Sequence, residues 1–488
     1  MQRSTALLKA NIIVFISSFC VMVIELIAAR MMAPSIGVSL YTWTSIIGVI
    51  LAGIALGNFT GGKIADKYPS PLVLAWIFFL GSLLTIAIMP LANMLSAHGD
   101  WFVNWPLMLN FTLRTLIIFF IPAFVLSMVS PTMIKLALAD LGKTGGTVGA
   151  IYAVSTAGSI LGTFMTGFYF ILWFGTRMIV WIVAGVLLLT GIIVLISWKA
   201  TTGERRLFRI ISWALALLIV ACGAVYYFTF PDSWRVSYFK ESNYYTINVY
   251  EEPGNVKVLA LDRLVHSYVV PDNPFLLKYD YLKIFTEVIG YGSGDNDTPR
   301  ILHMGGGGYS LPRYLETVNP QSINEVVEID PAVTKTAYEK LGLPSDMAIK
   351  TYNQDARLFL MQQQTQDKYN FIVGDVFNDF STPYHLTTVE FNRVISSRMQ
   401  PDGIYMINII DDFKEGKFMP SMVYTLKQVF QNVIILSVSN DWVNAGLSTY
   451  VIIATDRSFD EADYRKSASD DGKNTAVDLG IIRVPTME

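Results

Sequence analysis

The first 230 positions are dominated by long apolar runs, and the pattern changes character near position 231. Crossing a bilayer takes about 20 apolar residues. Seven runs meet that length: 11–33, 43–60, 72–92, 107–129, 148–173, 178–198 and 210–230. Beyond them the apolar residues fall into short blocks. Tyr244, Thr246, Asn248 and Tyr250 interleave with Tyr245, Ile247 and Val249, and Glu252-Pro253-Gly254-Asn255 makes a turn. This alternation predicts a small antiparallel unit over 237–270. A helix is expected at 276–289. Apolar strands then alternate with helical stretches, at 300–304, 324–329, 348–352, 369–373 and 403–409, and two late strands follow at 433–439 and 449–455. Such a series predicts a mostly parallel sheet that takes ligands at its carboxyl edge. The expected organisation is an α-helical transmembrane bundle of about seven helices (1–230), a small β unit with a connecting helix (231–290), and an α/β domain (291–488).

Composition agrees with that division. The 488 residues are 52% hydrophobic and 15% charged, too apolar for one soluble domain. Residues 1–230 carry 13 Lys/Arg and 5 Asp/Glu, whereas 231–488 carry 23 and 34. The acidic second half argues against a nucleic-acid partner and suits a cationic ligand. Cys20 and Cys222 both lie in apolar runs, and with four histidines no disulfide framework or metal-ligand cluster is expected.

The first run is read as a crossing and not as a cleaved leader, because Glu25 and Arg30 interrupt its end. The loops on one side hold ten Lys/Arg against two on the other, which puts the N-terminus in the cytoplasm. Seven crossings would then leave the second half outside. Gly57, Gly61, Gly62, Asp66 and Lys67 are expected to form a loop. It resembles the signature loop of major-facilitator transporters, and a Gly-rich turn is the other reading. Gly158, Gly162 and Gly167, beside Ser155 and Ser159, are read as close helix packing. Glu25 marks either a polar path or an ion pair with Arg30.

Successive strand ends of the α/β domain carry chemistry on one edge. After the first strand come Gly305, Gly306, Gly307 and Gly308, which allow close approach of a ligand to the backbone. Glu328 ends the second strand, where an acid hydrogen-bonds a ribose diol. Asp355 follows the third and can accept from an exocyclic amine such as that of adenine. Asp375 ends the fourth, beside the ligand's reactive part. Each acid alone reads as a solvated loop carboxylate; in series they point to a nucleoside.

The stretch from about 240 to 410 resembles spermidine synthase and related aminopropyltransferases. The likeness is carried by Glu241-Ser242-x-Tyr244, Leu259-x-Leu261-Asp262, Tyr279, Gly305-Gly306-Gly307, Val327-Glu328-Ile329-Asp330, Asp355, Asp375, Leu386-Thr387-Thr388-x-Glu390-Phe391 and Pro401-x-Gly403. It implies a Rossmann-like, methyltransferase-type fold. It also implies transfer of an aminopropyl group from decarboxylated S-adenosylmethionine, or a reaction of S-adenosylmethionine, with either as co-substrate and no tightly bound cofactor. By resemblance Asp375 orients the amine and accepts its proton, Glu328 binds ribose, Asp355 binds adenine, Tyr279 and Asn378 face the amine, and a homodimer is expected. The multi-pass region resembles the bacterial membrane-bound branch of that family, which implies the plasma membrane and contact with lipid.

Three positions depart from the family. Gly308 stands where the family has an Asp that grips the donor's cationic end, Asn378 replaces a second Asp, and Tyr245 replaces a Gln. Losing a carboxylate that pairs with a buried ammonium costs about 3–5 kcal/mol. The readings left open are a membrane-bound aminopropyltransferase, a lapsed synthase domain that senses a nucleoside or polyamine for the membrane half, and a methyltransferase. The donor is cytosolic, so the side of the membrane taken by the second half stays open at this point.

Overall fold

The computed structural model describes residues 2–36, 40–97, 105–137, 144–197, 217, 220–221, 236–262, 264–362, 368–376, 382–439, 441–470 and 480–483. The chain divides into two units, Met1–Trp234 with Lys240–Asn243, and Arg235–Phe239 with Tyr244–Glu488.

The first unit is helical. Five stretches are long and apolar enough to cross a membrane: Leu7–Ala33, Tyr41–Lys67, Pro71–Leu95, Met108–Ala137 and Thr144–Ser197. The last has 54 residues. A straight helix of that length would reach about 80 Å, far beyond a hydrocarbon core of about 30 Å. It is broken at Gly175, whose φ of 70° and ψ of 163° are non-helical. Leu116–Phe120 widens to a π-helix just ahead of Pro122. Proline offers no N–H to the carbonyl four residues back, and the wider helix absorbs that loss. The seventh apolar run, 210–230, falls outside the described residues but for three positions.

Glycines set the helix contacts. A Cβ at Gly158 would lie 2.5 Å from the Phe15 carbonyl oxygen, and one at Gly162 would lie 2.7 Å from that of Phe19. Both positions are therefore close-packing sites, as their spacing suggested; Gly167 meets nothing within 4 Å. The expected loop at Gly57–Lys67 is a correction, since all five residues lie inside the helix Leu40–Lys67. Its glycines serve packing: a Cβ at Gly57 would fall 2.2 Å from the Phe124 carbonyl oxygen, and one at Gly61 would fall 2.7 Å from the Met128 Cα. Asp66 pairs with Lys135 at 2.7 Å. Arg30 donates to the carbonyls of Ser242 and Asn243, and among the described residues no ion pair with Glu25 is present.

Two sheets are formed by strands within residues 238–483. The smaller has the order β1-β2-β3-β4, with β1 Tyr238–Glu241, β2 Thr246–Glu252, β3 Val256–Leu261 and β4 Leu264–Val269. The larger uses β5 Arg300–Met304, β6 Ile323–Val327, β7 Lys350–Tyr352, β8 Tyr369–Gly374, β9 Met399–Asp412, β10 Asn432–Ser437, β11 Leu447–Thr455 and β12 Gly480–Arg483. Its order is β12-β10-β11-β9-β8-β5-β6-β7. The five strands from β7 to β9 run parallel, whereas β11, β10 and β12 pair antiparallel.

Helices cover both faces, so the central strands are mostly apolar on both sides. One core joins β8 and β9 to Phe391, Met422 and Leu426. The other joins them to Leu282, Phe285 and Tyr464. Strand order reverses between β5 and β8. Above that switch point the ladder extends into the loops, with the Asp375 N–H donating to the Met304 carbonyl and the Gly305 N–H to that of Val327. The crevice this leaves at the strands' carboxyl ends is where doubly wound sheets bind ligands.

Candidate functional site

A cavity of about 180 Å³ opens at the switch point. Gly305, Gly306, Gly307, Glu328, Asp375 and Tyr279 all line it. The glycine loop that borders it requires unusual backbone angles, with φ of 92° at Gly305 and 49° at Gly307. Tyr309 is also left-handed at 57° and is fully buried. Its hydroxyl bonds those of Thr334 and Thr351 at 3.1 and 3.2 Å. The ring lies so close to Gly306 that a Cβ there would sit 2.7 Å from it. Gly308 donates its N–H to the Ser267 hydroxyl at 2.9 Å, and its missing side chain makes room for Ser267 and Val269 of β4.

Glu328 fastens this loop. Oε2 accepts from the N–H groups of Gly306 at 2.8 Å and Gly307 at 3.4 Å, and Oε1 accepts from Asp330 at 2.9 Å. Burial pushes the Glu328 pKa up, against the pull of those backbone bonds. Asp375 is held from both sides, by the Tyr281 hydroxyl at 3.0 Å and the Asn408 amide at 2.9 Å. Burial raises its pKa too, with the Asn408 and Tyr281 bonds and the charge of His266 opposing. The Tyr279 hydroxyl donates to the Val265 carbonyl at 2.9 Å, and its ring lies 5.4 Å from that of Tyr281. Burial, then Tyr268 and Asp375, push the Tyr279 pKa up to about 12.

Asp355 belongs to a neighbouring cavity of about 140 Å³ that shares Tyr245, Ile329 and Val376 with the first. Its Oδ2 meets His385 Nε2 at 2.9 Å and its Oδ1 accepts from the Leu358 N–H at 2.9 Å. Asn378 lies outside the described residues.

Five residues of the two cavities escaped the sequence reading: Tyr281, Asn408, His303, Ser267 and His385. Two of them leave a trace. Asn408 interrupts an apolar strand, as His303 does in Ile-Leu-His-Met. A polar residue inside a strand buried on both faces has to face a ligand or a buried partner.

No family model matches the chain. The relatives that match part of it are polyamine aminopropyltransferases and protein methyltransferases. A probable polyamine aminopropyl transferase of Bifidobacterium longum is 31% identical over 134 residues, 27% of this chain and 28% of that protein. A polyamine aminopropyltransferase of Vibrio vulnificus is 31% identical over 132 residues, 27% of this chain and 43% of that one. This chain therefore spans less than half the length of either relative. A probable spermidine synthase from Corynebacterium glutamicum superposes with a TM-score of 0.46 at 23% identity, over 51% of this chain and 91% of the other.

Proposed function

We propose that the second unit transfers an aminopropyl group from decarboxylated S-adenosylmethionine to a small amine. The observation that carries this reading is Asp375, a buried carboxylate held by Tyr281 and Asn408 in the cavity that the glycine loop borders. The attacking amine nitrogen forms a bond to the carbon next to the sulfonium, the carbon–sulfur bond breaks, and methylthioadenosine leaves. The amine sheds one proton, and Asp375 takes it. Desolvation raises the basicity of this carboxylate above that of a surface aspartate, which suits that task. Glu328 would hold the ribose and Asp355 the adenine amine, with Tyr279 on the amine side. The polyamine aminopropyltransferase relatives support the same chemistry.

Incubation of the full chain with decarboxylated S-adenosylmethionine and a set of diamines tests this. Methylthioadenosine release supports it; release of S-adenosylhomocysteine from S-adenosylmethionine instead would mean methyl transfer. We also propose that the first unit is embedded in a bacterial plasma membrane with its N-terminus in the cytoplasm. The break at Gly175 supports two crossings within Thr144–Ser197. A reporter fused to the C-terminus reads the side taken by the second unit; an external signal would exclude a cytosolic donor.

A further inference from the structure

His303 is a histidine on β5, the middle one of the five parallel strands, 2% exposed, and it lines the larger cavity. It sits level with Val326 on β6 and Val373 on β8. Glu328 and Asp375 lie two positions further on, just past the ends of those flanking strands where the ladder continues, about 7 Å along and on the same face because side chains alternate. His303 is thus beneath and between the two acids, in a cavity whose lining also includes Leu282, Leu311, Pro312 and Val373.

Its tautomer follows from the hydrogen bonds. The Asn324 amide donates through Nδ2 to the Ser322 hydroxyl at 2.9 Å, which turns Oδ1 toward His303 Nε2 at 3.1 Å. Nε2 therefore carries the proton and Nδ1 the lone pair. Among the described residues Nδ1 has no hydrogen-bond partner. Nδ1 is thus the remaining acceptor of the chain His303–Asn324–Ser322, on a side chain that lines the cavity.

We propose that His303 Nδ1 is a substrate contact that accepts an N–H from the bound amine. This rests on the amine-transfer reading above. A neutral primary amine has two N–H groups and one lone pair. With one N–H on Asp375 and the other on His303, the lone pair is left free to aim at the electrophilic carbon. Burial keeps the imidazole neutral, its pKa pushed down to about 4. A neutral acceptor favours the uncharged amine, whereas a second carboxylate would stabilise the unreactive ammonium.

The test titrates 1,4-diaminobutane into the full chain in detergent, saturated with methylthioadenosine, and follows turnover in parallel. His303→Leu is expected to weaken diamine binding roughly three- to tenfold, the worth of one neutral hydrogen bond, with methylthioadenosine binding unchanged. An unaltered diamine affinity, an equal loss for methylthioadenosine, or no diamine binding by the unmutated chain overturns the assignment. Should His303→Leu not fold, nitrogen-15 spectra of the four histidines of the unmutated protein decide. The ring that stays neutral down to about pH 5 must shift its unprotonated nitrogen on adding diamine; an unmoved signal refutes the contact. His303-dependent binding without methylthioadenosine release would leave this inference standing and remove the transfer reading. Release with His303-independent binding would do the reverse.

Discussion

Glu328 Oε2 accepts the Gly306 N–H at 2.8 Å, so the carboxylate expected to hold a ribose also holds the loop that would approach the ligand. Its other oxygen accepts from Asp330. Glutamine at 328 can serve only one of these donors and turns its NH₂ toward the other. Relief of the buried charge offsets part of that loss. Glu328→Gln is expected to lower stability by about 1–3 kcal/mol and to weaken methylthioadenosine binding. Thermal melts and calorimetry check it, and an unchanged melting temperature would count against the role in the loop.

Asp375→Asn should behave oppositely. The amide still accepts from Asn408 through its oxygen and donates to the Tyr281 oxygen, while the buried charge disappears. The folded-state pKa of Asp375 is raised by burial. Its stabilising contribution is therefore present below the unfolded-state pKa and is lost as pH rises through the folded value. At neutral pH the variant should melt higher than the unmutated protein, with the gap closing on acidification. Methylthioadenosine release should fall about 10²–10⁴-fold. A variant that melts lower at every pH would show that the carboxylate is needed for folding.

Periodicity made most of the second unit legible, because β5, β6 and β8 are short apolar runs ending in Gly305, Glu328 and Asp375. What it hid is long-range. Tyr281 and Asn408 stand 94 and 33 positions from Asp375 and meet it only through packing. His385 likewise reaches Asp355 from 30 positions away. The Gly57–Lys67 segment is helix and not loop for a related reason. Glycine weakens a helix in water, but here Gly57 and Gly61 let the backbones of Phe124 and Met128 come close, and the helix continues.

Gly308 is a steric requirement of β4 and not only a missing acid. A Cβ there would sit 2.7 Å from both Ser267 Cβ and Val269 Cγ2. The strand has little freedom to yield, since Ser267 accepts from the Gly308 N–H and the Tyr268 carbonyl accepts from the Ser310 hydroxyl. Gly308→Ala is expected to cost about 1–3 kcal/mol by overpacking. Ser267→Gly in the same chain should recover part of it. Gly308→Asp should lose at least as much stability, and restoring an acid in this way is not expected to raise donor affinity. A stable Gly308→Asp protein with tighter donor binding would refute this reading of the loop.

An adenine amine at Asp355 would have to compete with a protein group. Oδ1 accepts from the Leu358 N–H, and Oδ2 is taken by His385 Nε2 at 2.9 Å. An adenine amine would have to displace that ring. The main chain at 385 is fixed independently, because Arg357 donates to the His385 carbonyl at 2.7 Å. Truncating the ring should therefore free Oδ2 without moving the backbone. His385→Ala is expected to tighten methylthioadenosine binding about two- to fivefold, within the worth of one hydrogen bond. Asp355→Ala should weaken methylthioadenosine but leave methylthioinosine, which lacks the exocyclic amine, unaffected. Calorimetry of both nucleosides against both variants separates the outcomes. Weaker binding by His385→Ala would mean that the histidine orients Asp355 and does not compete for it, and equal losses for the two nucleosides in Asp355→Ala would remove Asp355 from adenine recognition.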